Sequence, residues 1–387
     1  MQRFYFDYNA TTPVSNEVFD AMRPVFLEVY GNASSIHHYG QMAKQKLEQA
    51  RRQTATLAGC ELTEIVFTSG GTESDNLAIF GTVRHHPFPR KHIITTAIEH
   101  PAVLNACAQL EREGVEATYV AVGRDGVVDP DDIRRALRSH TVLISVMHAN
   151  NELGSIQPVA EIAQIARAAG VAMHSDGVQA AGKIPVDVRQ LGVDFYAISG
   201  HKIQGPKGVG ALYVRKGAAL KPILYGGHHE RDRRAGTENV PGATGFGRAA
   251  AWVAENLETE GPRLASLRDR LEQSILARVP GVHINAATAP RIPNTSSISF
   301  DGIEGEAMVI ALDLKGFAVS SGAACSSGAV EPSHVLLAIG LSRAQARGSL
   351  RFSLGRYNTP EQIDALVEAV AQAASHLRKI SPVMVHA

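Results

Sequence analysis

Between Glu64 and Arg215 short β-rich runs alternate with helical stretches, and that alternation constrains the fold more than any other feature of the chain. Parallel strands need long crossovers, which helices supply, so the pattern predicts a mostly parallel sheet covered by helices. Strands are expected at Ile65–Thr68, His92–Thr96, Ala117–Val122, Val142–Met147, Val171–Ser175, Phe195–Ser199 and Gly210–Val214. Helices are expected at Ser74–Val83, His100–Glu113, Pro130–Ser139 and Val159–Ala169, the last closed by the C-cap Gly170. The result is an α/β layer of seven strands, and such sheets hold ligands beyond the carboxyl ends of their strands.

After about Trp252 the pattern changes to a long charged helical stretch, a strand at Ser296–Phe300, a helix at Glu304–Leu314, a strand at Ser349–Ser353 and an amphipathic helix from Pro360 to about Lys379. This predicts a smaller α+β domain of residues 259–387 joined by residues 1–15, beside a large domain of residues 16–258. A length of 387 residues is ample for two such cores. One biased segment stands out: from Ser320 to Ala329 every side chain is small. It has little apolar area to bury, so a loop is expected there rather than a core element.

Charge narrows the partners. Lys+Arg and Asp+Glu both count 38, so no global field draws the chain to nucleic acid or an acidic membrane, and neither partner is expected. Asp7 interrupts the start of the chain before an apolar signal region develops, and no apolar run reaches the roughly 18 residues that span a bilayer, so a soluble, cytoplasmic protein is expected. The three cysteines, Cys60, Cys107 and Cys325, have neither disulfide-framework nor metal-ligand spacing, and no metal is expected.

Five groups of residues point to chemistry. Thr68-Ser69-Gly70-Gly71-Thr72-Glu73-Ser74 follows a strand and opens a helix, where glycines admit an anion and free N–H groups receive it. An ordinary capped turn is the competing reading. Ser199-Gly200-His201-Lys202 closes another strand, and a partly desolvated lysine there has an amine available for a Schiff base. Asp176 and Gln179, just past a third strand, share the same sheet edge: an acid to keep a ring nitrogen protonated and an amide for a ring oxygen. A phosphate site, a Schiff-base lysine and a pyridinium partner together describe pyridoxal phosphate binding. His100 reaches that edge too, either to stack on a planar cofactor and shuttle a proton or simply to cap a helix. Arg351 suits a substrate carboxylate, with structural ion pairing as the alternative, and Asn151, after the strand Val142–Met147, can add a second donor to that carboxylate or to the cofactor ring.

Taken in order, these residues resemble the cysteine desulfurases of the NifS and IscS type, in the fold type I, class V aminotransferase-like group. The resemblance runs from Asp7-Tyr8-Asn9-Ala10-Thr11-Thr12 to Ser381-Pro382 and includes Ala149-Asn150-Asn151-Glu152, Arg233-Arg234-Ala235-Gly236-Thr237-Glu238-Asn239, Ser320-Ser321-Gly322-Ala323-Ala324-Cys325 and Arg351-Phe352-Ser353-Leu354-Gly355-Arg356. It implies pyridoxal 5'-phosphate bound covalently to Lys202, Asp176 on the pyridinium nitrogen and Gln179 on the phenolic oxygen. Gly71, Thr72, Ser199 and His201 would hold the phosphate, with Thr237 reaching in from the partner subunit of a homodimer. His100 would stack on the ring, Asn151 and Arg351 would bind the carboxylate of L-cysteine, and Cys325 would be the nucleophile. The implied reaction yields L-alanine and a Cys325 persulfide that passes to a sulfur-acceptor protein such as an iron-sulfur scaffold. A selenocysteine lyase, a β-lyase or an aminotransferase is the alternative within the same group. The stretch after Cys325 is similar to the branch with a long catalytic loop, whereas Ala33 and His229 depart from the commonest family pattern and the chain ends soon after Pro382.

Overall fold

The structure, a computed structural model, describes residues 2–321 and 331–380. In chain order its first elements are β1 (Phe4–Tyr5), α1 (Asn16–Leu27), α2 (His38–Ala58), β2 (Ile65–Thr68), α3 (Gly71–His85), β3 (His92–Thr96), α4 (Pro101–Arg112) and β4 (Glu116–Val120). Next come α5 (Pro130–Ala136), β5 (Thr141–Ser145), α6 (Val159–Ala168), β6 (Ala172–Asp176), α7 (Val188–Leu191), β7 (Phe195–Ser199), β8 (Gly210–Val214) and α8 (Val240–Arg278). The chain continues through β9 (Val282–Ile284), β10 (Thr295–Phe300), α9 (Gly305–Asp313), β11 (Phe317–Ala318) and β12 (Ser320–Ser321). Then follow α10 (His334–Ala338), α11 (Arg343–Arg347), β13 (Ser349–Ser353) and α12 (Pro360–Ile380).

Seven strands form the large sheet in the order β2-β8-β7-β6-β5-β3-β4. From β7 to β4 every pairing is parallel, and β8 alone runs antiparallel to its neighbours β2 and β7. The strands β2, β3, β5, β7 and β8 are buried at every position, because helices cover both faces. That is why they read as near-continuous runs instead of alternating ones. Edge strand β4 is only half-buried.

Several boundaries differ from the sequence reading by a few residues, and three of them have a local reason. Helix α3 begins at Gly71 rather than Ser74, so Gly71 and Thr72 belong to its first turn. Strand β5 stops at Ser145 rather than Met147 because the Met147 N–H turns to the buried Glu99 carboxylate, at 3.0 and 3.1 Å. Helix α5 stops at Ala136 because the Arg138 N–H goes to Thr141 Oγ1 at 2.8 Å.

A second sheet, β12-β13-β10-β9, is antiparallel throughout, and β1 pairs with β11 in parallel. Helix α8 links two apolar cores: Val240, Ala243, Phe246, Ala249 and Val253 pack in the core beside the large sheet, while Leu267, Leu271 and Ile275 pack with Phe6, Ile298, Phe352 and Leu366 in the other. It passes through residues 258 and 259 without a break. Among the described residues no helix is long and apolar enough to cross a membrane.

Before α8, the backbone at Glu230, Arg231 and Asp232 is left-handed, with φ of 45°, 56° and 64°. Such a conformation costs a side-chain-bearing residue about 1–2 kcal/mol. A buried ion pair holds it in place. Arg51 donates to both Glu230 carboxylate oxygens at 2.7 Å, and the Phe67 N–H adds a third bond at 3.0 Å.

Candidate active site

Five strands of the large sheet end at one cavity of about 250 Å³ lined by Ala10, Gly71, Thr72, Asp75, His100, Met147, Asn151, Asp176, Val178, Gln179, Ser199, His201 and Lys202. Topology dictates the convergence. Asp176 and Ser199 are the last residues of β6 and β7, and Gly71, His100 and Asn151 follow β2, β3 and β5. Since β6, β7, β5 and β3 run parallel, everything just past their ends shares one edge.

At one end of the cavity α3 starts without a side-chain cap on its N-terminal N–H groups. Beside it the Ser199 hydroxyl is buried and has no partner. Gly71 is packed so closely that a Cβ there would sit 2.7 Å from Val178 Cγ2. Free N–H groups, an orphan hydroxyl and a backbone stripped of side chains make a cradle for a phosphate-sized anion. His201 lines the same cavity, and its Nδ1 lies 3.1 Å from Thr11 Oγ1. Burial and the cations of Lys202 and Lys207 push His201 down to about 4, so it meets an anion as a neutral ring.

At the other end lies Asp176, nearly buried, with Oδ1 accepting the Val178 N–H at 2.9 Å. Burial raises its carboxyl above the usual range, while His100 and Lys202 pull it back. Such an acid gains most from a cationic partner, and a protonated ring nitrogen is one. Beneath it, Asp75 is pushed well up by burial and by the nearby Asp176 and Glu99. Its Oδ1 lies 3.4 Å from His174 Nε2, and His174 is itself driven down to about 3 by burial. Asp75 lines the cavity as well, and burial beside Asp176 and Glu99 favours its uncharged form.

Lys202 Nζ donates to the carbonyls of Asn9, at 2.5 Å, and Ala10, at 2.8 Å. Burial and the Arg351 guanidinium lower its amine to about 8, partly opposed by Asp176 and Asp7. An amine so depressed is about one-tenth unprotonated at pH 7 and half unprotonated near pH 8, far more than an ordinary lysine, and nucleophilic or proton-abstracting chemistry uses that free amine.

The remaining expected residues fall into three groups. His100 Nδ1 caps α4 by accepting the Ala102 N–H at 3.1 Å, the alternative role given for it, and the residue also lines the cavity. The same bond leaves the ring proton of neutral His100 on Nε2. Asn151 lines the cavity on a turn built by Asn150, whose Oδ1 accepts the N–H groups of Glu152 and Leu153 at 2.8 and 2.9 Å. Arg351 lies behind it, donating to Asp7 Oδ1 at 2.7 Å and to the Asn151 carbonyl at 3.1 Å. It thus has the structural ion pair anticipated as its alternative role, yet its Nε is buried and unpartnered. Thr237 is exposed and does not line the cavity, and Cys325 lies outside the described residues. Burial pushes both other cysteines up to about 12, so neither offers a thiolate near neutrality.

Sequence reasoning missed Asn9, Asp75 and Lys183. Asn9 is 1% exposed and bonds with every polar atom it has: its N–H to Ser353 Oγ, its amide to the Asn151 carbonyl and Thr295, and its two oxygens to Lys183, Asn294, Gln179 and Lys202. It ties the N-terminal segment, both sheets and the cavity together. For Asp75 the available signal was its spacing, one helical turn beyond Gly71 on α3.

Comparisons with known proteins agree with this geometry. The family model for aminotransferase class V matches residues 4–366. A cysteine desulfurase IscS of Dictyoglomus turgidum is 47% identical over 378 residues, covering 98% of this chain and 96% of the relative. Among solved structures, a NifS-like protein superposes with a TM-score of 0.91 at 38% identity, over 97% of this chain and 100% of the other. Another, SspA in complex with cysteine, gives a TM-score of 0.81 at 34% identity, over 92% and 99% of the two chains. The chain belongs to the class V aminotransferase family and, within it, to the cysteine desulfurases.

Proposed function

We propose that the protein is a pyridoxal-phosphate-dependent cysteine desulfurase that releases L-alanine from L-cysteine and passes the sulfur, through a Cys325 persulfide, to an acceptor protein. The observation that carries the reading is the pairing, within one cavity, of an uncapped helix N-terminus beside the orphan Ser199 hydroxyl with buried Asp176 and a depressed lysine amine. Gly71, Thr72, Ser199 and His201 would hold the phosphate, Asp176 the ring nitrogen, Gln179 the ring oxygen, His100 the ring face and Lys202 the aldehyde carbon. When bound, the cofactor supplies an electron sink that stabilises negative charge at the substrate Cα.

The chain's own residues do the rest. Asn151 and the free Nε of Arg351 bind the substrate carboxylate. Lys202 Nζ, unprotonated above about pH 8, accepts the Cα proton and later returns one. The Cys325 thiolate attacks the substrate sulfur; the S–S bond forms as the C–S bond breaks, and the electron pair left on carbon is protonated to give alanine.

We further propose a cytoplasmic homodimer in which Thr237 of the partner subunit completes the phosphate site. We also propose a division into residues 16–258 and 1–15 with 259–387, in which the first unit supplies every residue lining the cavity except Ala10 and the second carries Ala10, Arg351 and Cys325. An iron-sulfur scaffold fits as the acceptor.

The decisive test is stoichiometric. With pyridoxal phosphate and L-cysteine, the wild-type protein should yield alanine and one persulfide per subunit before an added thiol permits turnover. Cys325→Ser should retain the cofactor's visible absorption while losing alanine formation by at least about a hundredfold. Undiminished alanine and sulfide from Cys325→Ser would overturn the persulfide mechanism in favour of a β-lyase. A keto acid product would mark an aminotransferase instead.

A further inference from the structure

Lys183 is a buried amine with no role in the reaction just described. It sits in the turn after β6, 8% exposed, with Nζ donating to Asn9 Oδ1 at 2.8 Å and to Gln179 Oε1. Both acceptors are neutral amides. The charged groups that act on it are Lys202 and Arg351, both cationic, and with burial they push its amine well below the usual range. Burying an amine beside two cations costs free energy that an apolar side chain of the same length would not. A compensating role in the site accounts for the expense.

That role lies in the two-ended chemistry of Gln179. A carboxamide offers an acceptor at one end and donors at the other, and rotation by 180° exchanges them. Here both ends are committed: Oε1 accepts from Lys183, and Nε2 donates to the Asn9 carbonyl at 3.0 Å. The Asn9 atom that meets Gln179 is its main-chain carbonyl, which can only accept, while the Asn9 side chain is held by the Asn151 carbonyl, Thr295 Oγ1, Lys183 and Asn294. Gln179 therefore faces the cavity with its second N–H.

We propose that Lys183 is a positioning residue: by pinning the oxygen end of the Gln179 carboxamide it ensures that Gln179 meets the ring oxygen of the bound cofactor as a hydrogen-bond donor. The proposal rests on the pyridoxal phosphate reading. A donor on that oxygen stabilises its anionic form and so lowers the pH at which the visible absorption of the bound cofactor changes.

The test titrates that absorption against pH in the full-length, cofactor-loaded protein. Lys183→Met and Gln179→Leu should each raise the midpoint by about one pH unit, a tenfold change in the proton equilibrium. The double variant should show that same shift, since two groups acting through one contact are not additive. A double shift of about two units would overturn the proposal by making Lys183 an independent charge, and an unmoved midpoint in Lys183→Met would also overturn it. If Lys183→Met does not fold, Lys183→Gln decides, because it keeps an N–H donor but removes the cation. A wild-type midpoint then supports the proposal, and a midpoint raised as in Gln179→Leu overturns it. Failure of both variants to fold would make Lys183 purely structural and overturn it as well. Absence of any visible band from the wild-type protein would instead sink the cofactor reading, and this proposal with it.

Discussion

At the scale of single residues, the site depends on making ionisable groups unlike their free selves. Lys202 shows this most clearly, because its amine titrates near 8 instead of 10.5. The unfolded chain keeps a proton there that the folded chain sheds between those two values. Folding of the cofactor-free protein is therefore penalised below pH 8, and the penalty is relieved as pH rises from about 8 to about 10.5. The relief amounts to something on the order of 3 kcal/mol. Denaturant unfolding of the cofactor-free protein across this range should show stability rising, and Lys202→Met should flatten the rise; an equal rise in that variant would place the titration elsewhere. Lys202 was legible in the sequence because Ser199-Gly200-His201-Lys202 ends a strand at a glycine turn. Asn9 and Lys183 were not, because they meet each other across about 170 residues of chain, and a lysine four residues after a glutamine carries no local mark that its amine is buried against that side chain.

At the scale of elements, strands and phosphate cradle differ in how visible they were. The strands β2, β3, β7, β8 and β13 begin and end where the runs of β-branched and aromatic residues do. Those runs are buried on both faces, so composition alone delimits them. The two-residue strands β1, β11 and β12 exist through pairing with distant partners and leave no periodicity to read. Helix α1 carries Pro24 inside it, which masks its period, and α2 is largely polar on its outer face. The cradle is the most exacting element. Gly71 is the first residue of α3, and the space for its missing Cβ is taken by Val178. Gly71→Ala should push the helix N-terminus off the anion and weaken pyridoxal phosphate binding by about tenfold, with Gly71→Ala/Val178→Ala recovering most of the loss. Cofactor affinity measured by fluorescence titration checks this, and equal weakening in the single and double variants would separate the glycine from the Val178 contact.

At the scale of the whole molecule, the N-terminal segment gathers several of the exposed large apolar side chains. Phe19, Phe26, Leu27, Tyr30 and Ile36 are 59%, 61%, 67%, 69% and 95% exposed, and they crowd into α1 and the segment that follows it. A net charge of zero gives the molecule no overall repulsion against a second copy. Contiguous large apolar side chains at a surface signify association, and a homodimer is the commonest form it takes. Thr237 adds a functional reason, for it is exposed and outside the lining of its own chain's cavity while the phosphate cradle beside Ser199 still has an orphan hydroxyl. If the N-terminal face is the dimer contact, Phe26→Glu with Leu27→Glu should convert the protein from dimer to monomer in sedimentation velocity at micromolar concentration. Because the partner's Thr237 would leave with it, the same variant should lose pyridoxal phosphate on dialysis faster than wild type, although every residue lining its own cavity is intact. A dimer that survives both substitutions would move the contact elsewhere, and a monomer that retains its cofactor as tightly as wild type would remove Thr237 from the phosphate site.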